Sequence, residues 1–417
     1  MITEAASPGA AGTGSTARPP VTFDEIVDQV LRRGLPASTL FGPLDPAGTQ
    51  ASEASRTARR AYRTMARQVH PDVAPAGRRA DAAAAFARLT ELWFAYQGGA
   101  AEAPTSPGAG GWTGAVVVGR ARHAYTVGRP HAEGDLAVLH RVDHVELADG
   151  RPASDPLLCK IARSADDDDL IAREATALRR IARLGDRRHA AYVPTLVDTA
   201  RLAGGGSAPA RRVNVLARLD GFVTLAEVRT AYPDGLDPRD AVWMWRRLLV
   251  AIGYAHRAGV AHGAVLPPHV LIHPAQHGLV LVDWCYSAVP EPADGAVVGP
   301  YRPAAGPDDP SRRIPALVAA YADWYPAEVA RREPPAAATD IALASRCVSY
   351  LLGDEDPARL PAGVPAPIRR FLTGCLPAAP AMRPDDAWRL LGELDDLLGR
   401  IYGPRRFRPF AMPARAT

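Results

Sequence analysis

The chain has 417 residues, room for two or three domains, and its 47% hydrophobic and 23% charged side chains fall in the range of globular proteins. A net charge of +4, with both signs spread along the sequence, is too small and too even to argue for a nucleic-acid partner. No apolar run approaches the ~20 residues of a membrane helix, and residues 1–20 have no apolar centre of a secretory signal. Four scattered cysteines (Cys159, Cys285, Cys347, Cys375) without metal-ligand spacing read as reduced, mostly buried thiols, which places the expected location in the cytoplasm.

Residues 1–21 are rich in Gly, Ala, Ser and Pro and are expected to be disordered. A helical region is expected over 22–97. Its first helix places Phe23, Ile26, Val27 and Val30 on one face and stops at Gly34. In the next long helix, about 55–69, Tyr62, Met65, Ala66 and Val69 form an apolar stripe, and Arg56, Arg59, Arg60, Arg63 and Arg67 form a basic one. Pro71 breaks that helix. A further helix over about 80–97 puts Ala82, Phe86, Leu89, Trp93 and Tyr96 on one side. Two antiparallel helices of this kind pack Tyr62 and Met65 against Phe86 and Leu89 and leave His70-Pro71-Asp72 in the exposed turn.

That arrangement resembles the J-domain over about residues 40–97, an all-α helical hairpin with an HPD turn. The resemblance implies a DnaK-type chaperone as partner, bound by His70, Pro71 and Asp72 with Arg59, Arg60, Arg63 and Arg67 supplying charge complementarity. The segment 39–45 is a short, proline-interrupted version of the family's first helix.

Residues 98–114 read as a flexible linker. Beyond it, 115–402 is expected to form one α+β domain, strand-rich first and helix-rich from residue 237 onward, followed by a tail at 403–417. Short strands are predicted at 115–118, 125–127, 136–142, 157–162, 195–202 and 212–219, with a helix over 168–184 between the fourth and the fifth. The helix opens on four aspartates, 166–169, where the helix dipole favours negative charge.

Among 49 lysine and arginine side chains a single one is lysine, Lys160, and it lies inside the apolar strand Leu157-Leu158-Cys159-Lys160-Ile161-Ala162. Glu174 lies in the middle of the apolar face made by Leu170, Ile171, Leu178 and Ile181. A carboxylate on a buried stripe needs a cationic partner, and Lys160 is the natural candidate. Downstream come His262-Gly263-Ala264, then His269, a strand at 279–282 ending in Asp283-Trp284-Cys285, then Pro326-Ala327-Glu328, Asp340 before an apolar helix, and Arg383-Pro384.

In this order and spacing the set resembles the eukaryotic-type protein kinase fold from about 115 to 400, in a version from a GC-rich bacterial genome. The resemblance implies a bilobal domain that binds ATP with Mg²⁺. Lys160 would contact phosphate, Glu174 would pair with it, Gly134 would remain from the phosphate loop, and Asp283 would hold the metal. Glu328, Asp340 and Arg383 would hold the larger lobe together. Two positions depart from the pattern. Ala264 stands where the catalytic aspartate accepts the substrate's proton, and His269 stands where an asparagine holds a second metal. Magnesium prefers oxygen ligands to imidazole. The retained and missing groups describe a pseudokinase.

Several of the histidines 256, 262, 269, 273 and 277 fall on loop or turn positions, and no carboxylate or cysteine completes a metal set. Trp243 and Trp245 read as core, and Arg405–Phe410 as a basic, aromatic tail that either packs back or meets a partner. Three functional readings remain open at this point: a chaperone adaptor that docks a client protein or senses nucleotide, an active Ser/Thr phosphotransferase with rearranged chemistry, and a scaffold that binds no nucleotide.

Overall fold

The computed structural model describes residues 22–32, 36–42, a discontinuous set between 58 and 96, and 112–413 except 121, 135, 148–155, 204–209, 291–300, 302–309 and 332. The chain divides into two units, Met1–Gly108 and Ala109–Thr417. The expected disordered segment 1–21 and residues 98–111 of the expected linker 98–114 lie outside the described residues; 112–114 form a turn, with the Gly114 amide donating to the Val127 carbonyl.

In the first unit a helix spans Phe23–Val30. Thr22 starts it with a capping box: the Glu25 amide donates to the Thr22 hydroxyl and the Thr22 amide to the Glu25 carboxylate. A five-residue helix, Ala37–Phe41, ends at Gly42 with φ +88°. Helical residues recur at 58, 61–62, 65–66 and 68, and at 81–82, 84–86, 88–89, 92–93 and 96. Met65, Val69, Leu89 and Tyr96 join Ile26, Val30, Leu40 and Phe41 in one small core, with Tyr62 and Phe86 packed against it. Trp93 stacks on Tyr62 at 4.8 Å between centroids and meets Phe41 edge-on at 5.1 Å.

The second unit begins with six antiparallel strands: β1 Val116–Gly119, β2 Ala124–Glu133, β3 Ala137–Glu146, β4 Leu157–Ala162, β5 Leu196–Leu202 and β6 Arg211–Ala217. They close into a barrel in the order β1-β2-β3-β4-β6-β5. The sequence reading anticipated a sheet with one helix. Closure comes from β1, which pairs with β2 (Val117 opposite Tyr125) and with β5 (Val118 opposite Arg201), so neither end of the sheet is left as an open edge.

All six residues of β4 are buried, yet its two faces differ. Leu157, Cys159 and Ile161 point into the barrel with Val117, Tyr125, Val213 and Val215. The period of two then turns Lys160 outward, toward the helix Asp168–Leu184. Asn214 of β6 lies opposite Lys160 in register and shares its face.

A small second sheet joins β7 Val223–Thr224, β8 Val270–His273 and β9 Gly278–Leu281. The remaining lobe is helical, built on Pro238–Arg257, Ala337–Leu352, Ala366–Gly374 and Ala387–Tyr402, with Trp245, Ile341 and Leu394 fully buried in its core. The tail packs back on this lobe. Phe410 is buried beside Tyr232 and Trp243, and Arg408 bridges Asp237 at 3.0 Å and Asp240 at 3.1 Å.

Barrel closure depends on a close approach at Gly119. A Cβ there would lie 1.9 Å from Asp198 Oδ2, whose other oxygen holds the Arg120 and Thr199 amides. Gly119→Ala is therefore expected to destabilise the protein by about 1–3 kcal/mol through overpacking. Gly363→Ala, where nothing lies within 4 Å of the added carbon, should be neutral. Denaturant midpoints of the two variants check this.

Candidate nucleotide site

Lys160 Nζ lies 2.9 Å from Glu174 Oε1 and 2.6 Å from Asp283 Oδ1. Three distant parts of the sequence supply these groups: strand β4, the middle of the helix Asp168–Leu184, and the residue that follows the small sheet. The helix brings Glu174 inward because 174 lies four residues after Leu170 and four before Leu178, both buried. Asn214 fixes the far oxygen. Its side-chain amide donates to Glu174 Oε2 and to the Ile171 carbonyl, both at 2.9 Å. Sequence reasoning missed Asn214; its signal was a polar residue set among Val213, Val215 and Leu216.

Asp283 adopts a left-handed backbone, φ 67° and ψ 55°, a conformation that non-glycine residues enter at some cost. The turn drives Trp284 into the core, where its indole donates to the Leu281 carbonyl and meets His262 edge-on. It also seats Cys285, whose sulfur lies within 4.8 Å of carboxylate oxygens of Glu174 and Asp283. Burial pushes the Cys285 thiol well above its ordinary range, so it remains protonated.

Burial alone would raise the Asp283 carboxyl, but the Lys160 ammonium and His269 outweigh it and hold the group well below the usual carboxylate range. Burial would likewise lower Lys160, and its acidic neighbours raise it instead. Both groups are charged at neutral pH. Two carboxyl groups thus share one ammonium, and His269 lies beside Asp283.

The loop carrying Gly263 and Ala264 is held by its surroundings. Asp340 accepts from the His262 and Gly263 amides and from His256 Nε2, each at 2.8 Å. Ala264 is fully buried; its amide donates to His262 Nδ1 and its carbonyl accepts from His269 Nδ1 at 2.8 Å. His262 donates its other ring nitrogen to the Val282 carbonyl, and burial pushes it down to about 4. It is neutral, with both nitrogens engaged. His269 Nε2 faces Asp283 Oδ2 at 3.3 Å. Asp340 thus accounts for His256 and the loop amides, which leaves these histidines with structural partners.

Glu328 and Arg383 form a buried pair at 2.6 Å, and Thr339 donates to Glu328 at 3.0 Å. Gly134 sits in the β2–β3 turn, apart from this cluster. Its amide donates to the Ala137 carbonyl and its own carbonyl accepts from Arg163. A Cβ on Gly134 would meet the Ala137 carbonyl at an ordinary 3.5 Å, so the turn itself does not demand glycine. His70, Pro71 and Asp72, with Arg59, Arg60, Arg63 and Arg67, lie outside the described residues.

As a Mg²⁺ site the donor set suits one ion at most. Asp283 offers hard oxygens, and Mg²⁺ commonly binds one or two carboxylates together with substrate phosphates. His269 and Cys285 offer the wrong donors for a second ion.

No family model matches the chain. A stretch of 58 residues, 14% of the chain, is 38% identical to casein kinase II subunit alpha' of Saccharomyces cerevisiae. The chain spans 17% of that curated relative's length. Among solved structures, two mutant forms of the Mycobacterium tuberculosis PknI kinase domain cover 69% of this chain, and 98% and 99% of their own, at a TM-score of 0.48 and 16% and 18% identity.

Lys160→Met removes the ammonium that joins Glu174 and Asp283. Leaving buried carboxylates unpaired is expected to cost about 3–5 kcal/mol. Adding Glu174→Gln should recover part of that loss, because one of the two stranded charges is then gone. Chemical denaturation of the single and double variants measures both effects.

Proposed function

We propose that residues 109–417 form a nucleotide-binding module of the protein-kinase type, with Lys160 on the phosphates of ATP and Asp283 on the accompanying Mg²⁺, and that it does not transfer phosphate by the usual base-assisted route. The observation that carries this is the contact of one ammonium with both Glu174 and Asp283, at 2.9 Å and 2.6 Å. Without nucleotide, Lys160 satisfies two carboxylates. A phosphate oxyanion can replace Asp283 at the ammonium, and a bound magnesium can replace Lys160 at Asp283, so the exchange leaves no charge stranded.

The absence of transfer follows from the loop. Ordinary transfer needs a carboxylate near the attacking hydroxyl. Residue 264 is an alanine enclosed by backbone contacts, and neutral His262 has no free nitrogen. The competing reading is an active Ser/Thr protein kinase. The intact Lys160–Glu174–Asp283 set and the short likeness to a casein kinase II subunit favour it, with a proton acceptor supplied by the substrate or a bound water.

For the first unit we propose docking on a DnaK-type chaperone through His70, Pro71 and Asp72 with Arg59, Arg60, Arg63 and Arg67. The support is the sequence pattern around these residues and the small helical core that holds Met65, Val69 and Leu89. The two proposals are independent, and a client protein would be chosen by groups that neither of them names.

ATP with Mg²⁺ should raise the melting temperature of the chain, since a ligand that binds only the folded state stabilises it. The shift should vanish in Lys160→Met. Because Lys160 is the only lysine, an acyl-phosphate ATP probe that acylates lysine should modify this one side chain, and excess ATP should protect it. A flat thermal profile with unprotected labelling would remove the nucleotide reading. Lys160-dependent transfer of labelled γ-phosphate to a protein hydroxyl would decide for the active kinase.

The intact chain should also raise the ATPase rate of a DnaK-type chaperone, and Asp72→Ala should abolish the increase. An unchanged rate with the intact chain would remove the chaperone reading and leave the nucleotide reading standing.

A further inference from the structure

The last helix ends at Gly403, φ +75°, and residues 404–413 form neither helix nor strand. They lie along the helical lobe through side-chain contacts. Arg405 pairs with Asp395, which also takes Arg246 at 2.6 Å. Arg408 pairs with Asp237 and Asp240. Phe410 packs beside Tyr232 and Trp243, and the Tyr232 hydroxyl donates to the Ala411 carbonyl at 2.6 Å. Phe407 meets the His277 ring at 4.6 Å between centroids, and Trp243 stacks on the same ring at 4.1 Å with the planes 4° apart.

These contacts define a seat of three carboxylates, Asp237, Asp240 and Asp395, and three rings, Tyr232, Trp243 and His277. It suits guanidinium and phenyl groups together. The hold on the tail is light. The side chains of Arg405 and Arg408 are 69% and 42% exposed, so each ion pair contributes little. Phe407 is 69% exposed, and Phe410 is the one buried side chain of residues 404–413. The tail stays in place chiefly because it is tethered, which gives it an effective concentration on the order of millimolar. His277 stands in the turn between β8 and β9, and Asp283 follows the end of β9. Whatever fills the seat therefore grips the hairpin that carries Asp283.

We propose that this seat is a docking surface for an arginine- and phenylalanine-bearing segment of a partner protein, for which the tail is an internal stand-in. Charge complementarity sets the sign of the occupant: three carboxylates disfavour an acidic segment and favour guanidinium groups, which meet them with paired hydrogen bonds. The tail itself, Arg405-Arg406-Phe407-Arg408-Pro409-Phe410, shows a spacing that satisfies the seat. A second copy of this chain would bring the same contacts without the tether, so the tail in place outcompetes it at ordinary concentrations. A partner segment can displace the tail by adding contacts outside the seat.

The test uses the full chain without nucleotide, so that its outcome is independent of ATP binding. Fluorescence anisotropy is measured with a labelled peptide of residues 403–413, GPRRFRPFAMP. The parent is compared with Phe407→Ala/Arg408→Ala, which loosens the tail at two positions outside the core. The loosened chain should bind the peptide about tenfold more tightly than the parent, because its tethered competitor is weakened. Two seat substitutions added to the loosened chain should remove the binding. These are Asp240→Asn, which keeps the side-chain shape, and His277→Gly, which suits the φ of +52° at that position. A melting temperature like the parent's shows that a variant is folded. A peptide with glutamate in place of its three arginines needs no seat variant and should not bind the loosened chain. Failure of the peptide to bind the loosened chain would overturn the proposal, as would equal binding by the glutamate peptide or after the seat substitutions. Dimerisation of the parent in sedimentation, lost in Phe407→Ala/Arg408→Ala, would assign the seat to a second copy and overturn the partner reading.

Discussion

One ammonium group between two buried carboxylates organises the second unit. Lys160, Glu174 and Asp283 come from a barrel strand, the helix beside the barrel and the end of the small sheet, so a single triad ties three elements of the unit together. None of the three can be left alone. A charge removed from water without a partner costs several kcal/mol, and the mutual attraction offsets this only when all the contacts are made. The triad is thus a geometric constraint before it is a binding site. It requires the helix to sit at one rotation about its axis and the chain to turn back sharply at residue 283, where the left-handed backbone is part of the cost.

The helical lobe meets a different constraint. Asp340 gathers three donors onto one buried carboxylate, and Glu328 does the same for Arg383 and Thr339. These contacts hold a loop in position whether or not the loop carries an acid. The consequence at residue 264 follows from packing. A methyl group fits where the backbone amide and carbonyl are already bound to His262 and His269.

Much of this was legible in the sequence, for a physical reason. An ionisable residue in an apolar strand and another on an apolar helical stripe are each unfavourable alone, so each signals the other; Lys160 and Glu174 announced their contact this way. The limits of β4 and of the helix Asp168–Leu184 were also readable, because apolar runs and a capping acidic start mark them. Barrel closure was not. β1 is short, and whether a strand meets one neighbour or two is decided by the twist and curvature of the whole sheet, which no local pattern encodes. Asn214 stayed hidden because a polar residue in a strand is usually exposed, and only register opposite Lys160 gives it a buried task.

That abundance sharpens the meaning of position 160. The chain uses arginine wherever a cation is needed, with one exception among 49 basic side chains. Arginine presents donors in a planar fork suited to a carboxylate met edge-on. At 160 the requirement is different: oxygens of two separate carboxylates lie 2.9 Å and 2.6 Å from a single atom, in a space that leaves the side chain 6% exposed. A compact ammonium with three rotatable donors meets that geometry, and a guanidinium is too wide for it. The same compactness lets one nitrogen serve Glu174 and Asp283 together. Lysine here, against the bias of the rest of the chain, is what a point charge shared between two carboxylates requires.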